Sequence, residues 1–201
     1  MAEQSFLIFV SGGVRSGKSQ FAEKLAVDLS GYTPEVGTDE TPYQLHYIAA
    51  GQASDEEMKT RILRHQTDRH LSGLNWITWE QPSGLTELSD VFGEGDVVLL
   101  DCLTTLLNNE LFKEENLWKN ILFQEQMMAE ILEAIEKITN SCHALIVVSN
   151  EVFYDTSGDQ ELIFIYKKIL GKLHQKVVAK AKKAYLVESG IPLLMKGGEL
   201  I

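Results

Sequence analysis

Residues 6–20 read FLIFVSGGVRSGKSQ. An apolar run that stops at paired glycines and then reaches lysine and serine fits one kind of backbone: a buried strand, a loop nearly free of side chains, and a helix. Gly12, Gly17, Lys18 and Ser19 match the spacing G-x-x-x-x-G-K-[ST]. In a loop of this kind the backbone N–H groups turn inward around a phosphate, and the helix start adds its positive dipole end. Gly12, Gly13, Val14, Arg15, Ser16, Gly17, Lys18 and Ser19 are therefore the expected nucleotide-binding loop. Lys18 would reach the β- and γ-phosphates, and the Ser19 hydroxyl would be a ligand for Mg2+.

The rest of the chain alternates short β-branched runs with longer helical patterns, which predicts an α/β fold with a mainly parallel sheet. Strands are expected over 6–10, 46–50, 76–79, 97–101, 144–149 and 184–187. Helices are expected over 18–29, 55–69, 116–138 and 160–182. VVLL and ALIVV are nearly unbroken apolar runs, as strands covered on both faces should be. In the third helix Ile121, Met128, Ile131, Leu132 and Ile135 recur at spacings that share one face. Two stretches rich in turn formers, 30–44 and 153–159, are expected to be irregular excursions. No repeat or boundary appears, and residues 1–201 are expected to form a single nucleotide-binding domain.

Composition limits the partners. Lys and Arg total 18 against 29 Asp and Glu, a formal charge of −11, and an acidic surface repels a polyanion. No nucleic acid is expected as a partner. Small nucleotides remain open, because a local nest of amides outweighs distant net charge. The two cysteines, Cys102 and Cys142, lie in or beside apolar stretches and read as buried thiols of a reducing compartment. The first residues lack the basic start of a signal peptide, and no run approaches the ~20 apolar residues of a membrane span. A cytoplasmic location is expected.

Asp101 ends the apolar run VVLLD. An acid at the end of a second buried strand in a protein with a phosphate loop supports Mg2+, directly or through water, or else caps a turn. Thr104 and Thr105 could bond to phosphate or cap the next element. Between the second and third strands lies SDEEMKTRILRHQTDRH, with Ser54 and Glu57 forming a capping box. Arg61 and His65 are four apart on that helix and share a face, which Arg69 extends. Cationic neighbours keep an imidazole neutral and nucleophilic, and arginines bind phosphates. Spacing alone favours a solvated histidine on a polar helix face.

Several stretches, in order along nearly the whole chain, resemble the bifunctional adenosylcobinamide kinase and adenosylcobinamide-phosphate guanylyltransferase family of cobalamin biosynthesis. They are SGGVRSGKSQFAE, YIAAGQASDEEMKTRILRHQTDR, WITWEQP, LLDCLTTLLNNELF, SNEV and the C-terminal GKLHQKVVAKAKKAYLVESGIPLLMK. The resemblance implies a RecA-like P-loop NTPase fold and a homo-oligomer, a trimer. It implies ATP or GTP as phosphate donor for the aminopropanol hydroxyl of adenosylcobinamide, and GTP as donor of GMP to the phosphate so made. It also implies that His65 carries GMP covalently. Guanine-nucleotide contacts are implied from Ile48, Ala49 and Ala50, from Gln66, Thr67, Asp68 and Arg69, from Glu80, and from Asp101, where the family usually has glutamate.

The sequence departs from the family in places. After Asn150-Glu151-Val152 the loop FYDTSGD has no proline where the family runs to Val-Pro. The following helix lacks the family's arginine and acid, and His174 stands where asparagine is usual. Ala50 and His70 replace a hydroxyl residue and a proline. Two other readings follow: a small-molecule kinase that uses the phosphate loop without guanylyl transfer, and a catalytically silent nucleotide-binding regulator.

Overall fold

The computed structural model describes residues 5–31, 43–51, 63, 67, 69, 74–152 and 160–198. The first strand, β1 (Phe6–Gly12), leads through the glycine loop into α1 (Lys18–Leu29). Strands β2 (Gln44–Ala49), β3 (Trp76–Glu80) and β4 (Asp96–Asp101) follow, then α2 (Leu103–Leu111) and α3 (Ile121–Ser141). The chain continues with β5 (Ala144–Asn150), α4 (Gln160–Lys180), β6 (Lys183–Glu188) and β7 (Ile191–Lys196). The strands form one seven-stranded sheet in the order β3-β2-β4-β5-β1-β6-β7, parallel throughout except β7, which runs antiparallel to β6. The expected α/β fold with a mainly parallel sheet is what the chain adopts.

Alternation along the strands divides the core in two. Leu7, Phe9, Ile48, Val98, Leu100, Leu145 and Val147 face one side, where α2, α3 and α4 add Leu103, Leu106, Met128, Ile131, Ile135, Leu170 and Leu173. Ile8, Val10, Leu45, Tyr47, Val97, Leu99, Ile146 and Val148 face the other, against Ala22 and Ala26 of α1. Both alanines are fully buried, so α1 lies close on the sheet.

This arrangement fixes where a ligand can sit. From β1 the chain passes through α1 to β2, beyond β5 and β4; from β5 it passes through α4 to β6, beyond β1. The two connections leave in opposite directions, and right-handed crossovers then put α1 and α4 on opposite faces. The carboxyl ends of β1 and β5 part at this point, and the crevice so formed is the usual binding place of an open parallel sheet.

Several expectations need correction. The third helix does not begin at 116. Asn116 has φ 68°, residues 117–119 form a single 3-10 turn, and Asn120 caps α3 by accepting from the N–H of Leu122 and Phe123. Ile121 is consequently exposed, and Met127 takes a core place instead. Helix α2 was not expected, because LTTLLNNEL mixes β-branched and polar residues, yet it buries Leu103, Leu106, Leu107 and Leu111. Strand β7 was not expected either. It is an edge strand containing Pro192, without apolar–polar alternation, and it pairs through a tight turn at Ser189 (φ 51°) and Gly190 (φ 81°). Most of the two expected excursions, 32–42 and 153–159, and most of the expected helix 55–69 lie outside the described residues. Leu63, Thr67 and Arg69 are helical, with Thr67 Oγ1 donating to the Leu63 carbonyl at 2.8 Å. Among the described residues no helix is long and apolar enough to cross a membrane.

Candidate active site around the phosphate loop

The glycine loop sits at the carboxyl end of β1 beside the crevice. Gly17 adopts φ 89° and is the N-cap of α1, with no side chain capping the first turn. A residue with no Cβ reaches that conformation without strain. The first N–H groups of α1 are thus uncapped by side chains at the end where the helix dipole favours an anion. Lys18 is almost fully buried, and its ammonium donates to the Gly13 carbonyl at 3.1 Å. That bond folds the lysine back over the loop.

Gly12 shows how closely the loop is packed. A Cβ there would strike the Val187 carbonyl oxygen and lie 2.6 Å from Ser16 Oγ. The turn between β6 and β7 closes against the loop as well, with the Gly190 N–H donating to the Ser16 carbonyl at 2.8 Å. Overpacking of this kind costs about 2 kcal/mol. Gly12→Ala is expected to lower Tm by about 4–8 °C and to weaken nucleotide binding, as checked by thermal unfolding with and without GTP.

Register carries the site across the sheet. Glu80 pairs with Ala49, Ala49 with Asp101, Asp101 with Val148, Val148 with Val10 and Val10 with Tyr185. This row crosses six strands at the carboxyl edge, and neighbouring strands are about 4.8 Å apart. Side chains two apart on a strand share a face. Asp101 therefore faces α1, as Leu99 and Val97 do, and Ala49 and Glu80 share that side with Tyr47 and Trp76. Fold topology thus brings Glu80, Ala49 and Asp101 to the same edge and face as the phosphate loop.

Other expected residues fall differently. Ile48 and Ala50 are wholly buried, in the core on the α2–α4 face. Both backbone groups of Ala50 are taken: its N–H donates to the Asp101 carbonyl at 3.1 Å and its carbonyl accepts from Asn109 at 3.0 Å. Arg69 is buried, stacked 3.7 Å from the Tyr47 ring centroid and paired to Glu23 of α1 at 3.0 Å. His65, Arg61, Gln66 and Asp68 lie outside the described residues. Ser19 and Asp101 offer hard oxygen donors; among the described residues, no three His, Cys, Asp or Glu side chains come together as a metal-binding group. Cys102 follows Asp101 directly; its burial, and next the Asp101 charge, push its thiol up and keep it protonated.

On the opposite face a hydrogen-bonded chain, which the sequence did not signal, ties the crevice to α4. The Asn150 N–H donates to Thr104 Oγ1 at 2.6 Å, Thr104 Oγ1 lies 2.9 Å from Ser149 Oγ, and Ser149 Oγ lies 2.7 Å from His174 Nε2. Thr104 Oγ1 accepts from the Asn150 N–H and keeps a second lone pair and its own proton for the contact with Ser149. Thr104 is thereby occupied within the fold, and Thr105 bonds to Cys102 Sγ at 3.1 Å.

Burial pulls the His174 imidazole down to about 4. The unfolded chain takes up a proton near the ordinary value of about 6.5, whereas the folded protein refuses it until about 4. This part of the stability is complete above pH 6.5 and lost as pH falls through 4. His174→Asn is expected to reduce the loss of unfolding free energy between pH 7 and pH 5 by about 2 kcal/mol, read from denaturant titrations at both values.

A glycine loop on a parallel sheet, with an acidic strand end beside it, defines a P-loop nucleotide-binding α/β protein. The chain belongs to the cobinamide kinase / cobinamide phosphate guanyltransferase family, which matches residues 8–195. It is similar to the bifunctional adenosylcobalamin biosynthesis protein CobU of Escherichia coli K12, at 33% identity over 94% of this chain and 99% of the relative. It is similar at 30% identity to CobU of Salmonella typhimurium, over 94% and 99%. The bifunctional adenosylcobalamin biosynthesis protein CobP of Pseudomonas aeruginosa is also 30% identical, over 95% and 98%.

Proposed function

We propose that the protein is an adenosylcobinamide kinase and adenosylcobinamide-phosphate guanylyltransferase that runs both reactions at the carboxyl edge of the sheet. The observation that carries the reading is near-full-length family membership combined with a phosphate loop, Asp101 and Glu80 on one edge and face. In the first reaction the aminopropanol hydroxyl attacks the γ-phosphorus of ATP or GTP, and the bond to the bridging oxygen breaks. In the second, a ring nitrogen of His65 attacks the α-phosphorus of GTP and pyrophosphate leaves. The corrinoid phosphate oxygen then attacks the histidine-bound GMP, the P–N bond breaks, and the imidazole is restored.

The loop amides and Lys18 stabilise the negative charge that builds on the phosphates in each step. Ser19 and Asp101 are the residues that would hold Mg2+, and these donors suit it, since Mg2+ prefers one or two protein oxygens together with phosphate oxygens. When bound, the ion supplies charge neutralisation for the phosphoryl groups. Guanine-nucleotide contacts are assigned to Ala49, Glu80 and the stretch 66–69. The buried positions of Ile48, Ala50 and Arg69, and the engaged backbone of Ala50, leave these three to support the contacts indirectly.

The chain is read as one domain, with strands of a single sheet running from Phe6 to Lys196. It is read as a trimer, in which another copy would cover the exposed Ile191, Leu193, Leu194 and Met195 of β7. A cytoplasmic location accompanies this reading.

The test is product analysis with adenosylcobinamide, ATP, GTP and Mg2+. Sequential appearance of the corrinoid phosphate and its GDP ester supports the reading. Nucleotide hydrolysis with the corrinoid unchanged would contradict it.

A further inference from the structure

Tyr47 lies in the middle of β2 and is nearly buried, yet it carries a polar group that needs a partner. Its hydroxyl meets Asp101 Oδ2 at 3.1 Å. The hydroxyl is the donor and the carboxylate oxygen the acceptor. The ring of Tyr47 is covered by the Arg69 guanidinium at 3.7 Å, and Arg69 Nη1 is held by Glu23 Oε1 at 3.0 Å. Glu23 stands on α1, five residues after Lys18. A continuous set of contacts thus runs from the helix that opens at the phosphate loop, through Arg69 and Tyr47, to the strand-end acid.

We propose that Tyr47 is a positioning residue for Asp101, with its hydroxyl fixing one carboxylate oxygen and Arg69 bracing its ring. Aspartate has one rotatable bond fewer than glutamate and cannot bend its carboxylate to compensate for a shifted backbone. A donor that occupies Oδ2 leaves Oδ1 for the metal and removes the freedom to swap the two. Phenylalanine would fill the same space, so packing alone does not call for the hydroxyl. The inference rests on the assignment of Asp101 to Mg2+ made above.

The test uses the full chain and β,γ-imido-GTP, whose binding is titrated against Mg2+. Tyr47→Phe is expected to raise the Mg2+ concentration for half-maximal binding about tenfold, the lower end of the scale for one lost hydrogen bond to a charged group. Saturating Mg2+ should restore binding. Arg69→Met should raise it about twofold, and the double variant should match Tyr47→Phe alone, because the brace acts only through the hydroxyl. Arg69→Lys, which keeps a cation for Glu23, guards against a variant that fails to fold. A Tyr47→Phe protein with lowered Tm but an unchanged Mg2+ midpoint would show a structural role and overturn the proposal. So would multiplicative effects in the double variant. If binding to the wild type ignores Mg2+, the metal assignment fails first and the role of Tyr47 fails with it.

Discussion

Lys18→Met should slow both phosphate transfer to the corrinoid and guanylylation from GTP by about 10²–10³-fold, the usual loss when one preorganised electrostatic donor is removed. The lysine is buried against the loop that it serves, with its ammonium on the Gly13 carbonyl. Methionine keeps the length and the apolar stem, so the strand and helix on either side should fold as before. In the proposed mechanism, the charge it removes is the one that faces phosphate in both reactions. Rates of corrinoid phosphorylation and of GMP transfer, each measured at saturating nucleotide, check this. A loss confined to one reaction would mean that the two do not share the loop.

His65→Ala should divide the reactions instead. Without the imidazole there is no nitrogen to carry GMP, and transfer should fall by about 10⁴-fold or more, as when a covalent nucleophile is deleted. Phosphorylation of the corrinoid hydroxyl needs no covalent step on the protein and should fall far less. The variant should therefore accumulate adenosylcobinamide phosphate, which product chromatography can follow over time. Equal losses in both reactions would point to His65 as a structural support and favour the kinase that lacks guanylyl transfer.

The extent to which the sequence announced this site follows from the physics of each part. The phosphate loop is local: strand, glycines, lysine and helix lie within fifteen residues, and the backbone conformation demands those residue types. Strands buried on both faces were legible as apolar runs for the same reason. Asp101 was legible as the end of such a run, but its closeness to Glu80 and Ala49 depends on strand order, which no single stretch encodes. Tyr47 read as one more apolar strand residue, because its significance arises from Asp101, fifty-four residues later, and from Arg69 on another element. The chain from Asn150 through Thr104 and Ser149 to His174 was hidden likewise. It joins α2, β5 and α4, and each member alone looks unremarkable in its segment. Helix α2 was overlooked because its threonines and asparagines weaken helix propensity, which burial of four leucines overrides. Strand β7 was overlooked because an exposed edge strand carries no alternation to detect.

The central claim is that one protein both binds GTP at the phosphate loop and takes GMP onto His65. The most direct measurement is the intact mass of the protein after incubation with GTP and Mg2+, quenched in alkali to preserve a phosphoramidate. The account predicts a gain of one GMP in the wild type, absent in His65→Ala and lost on addition of adenosylcobinamide phosphate. An unmodified mass in a protein shown to bind GTP would contradict it, leaving a kinase or a silent nucleotide binder on the same fold.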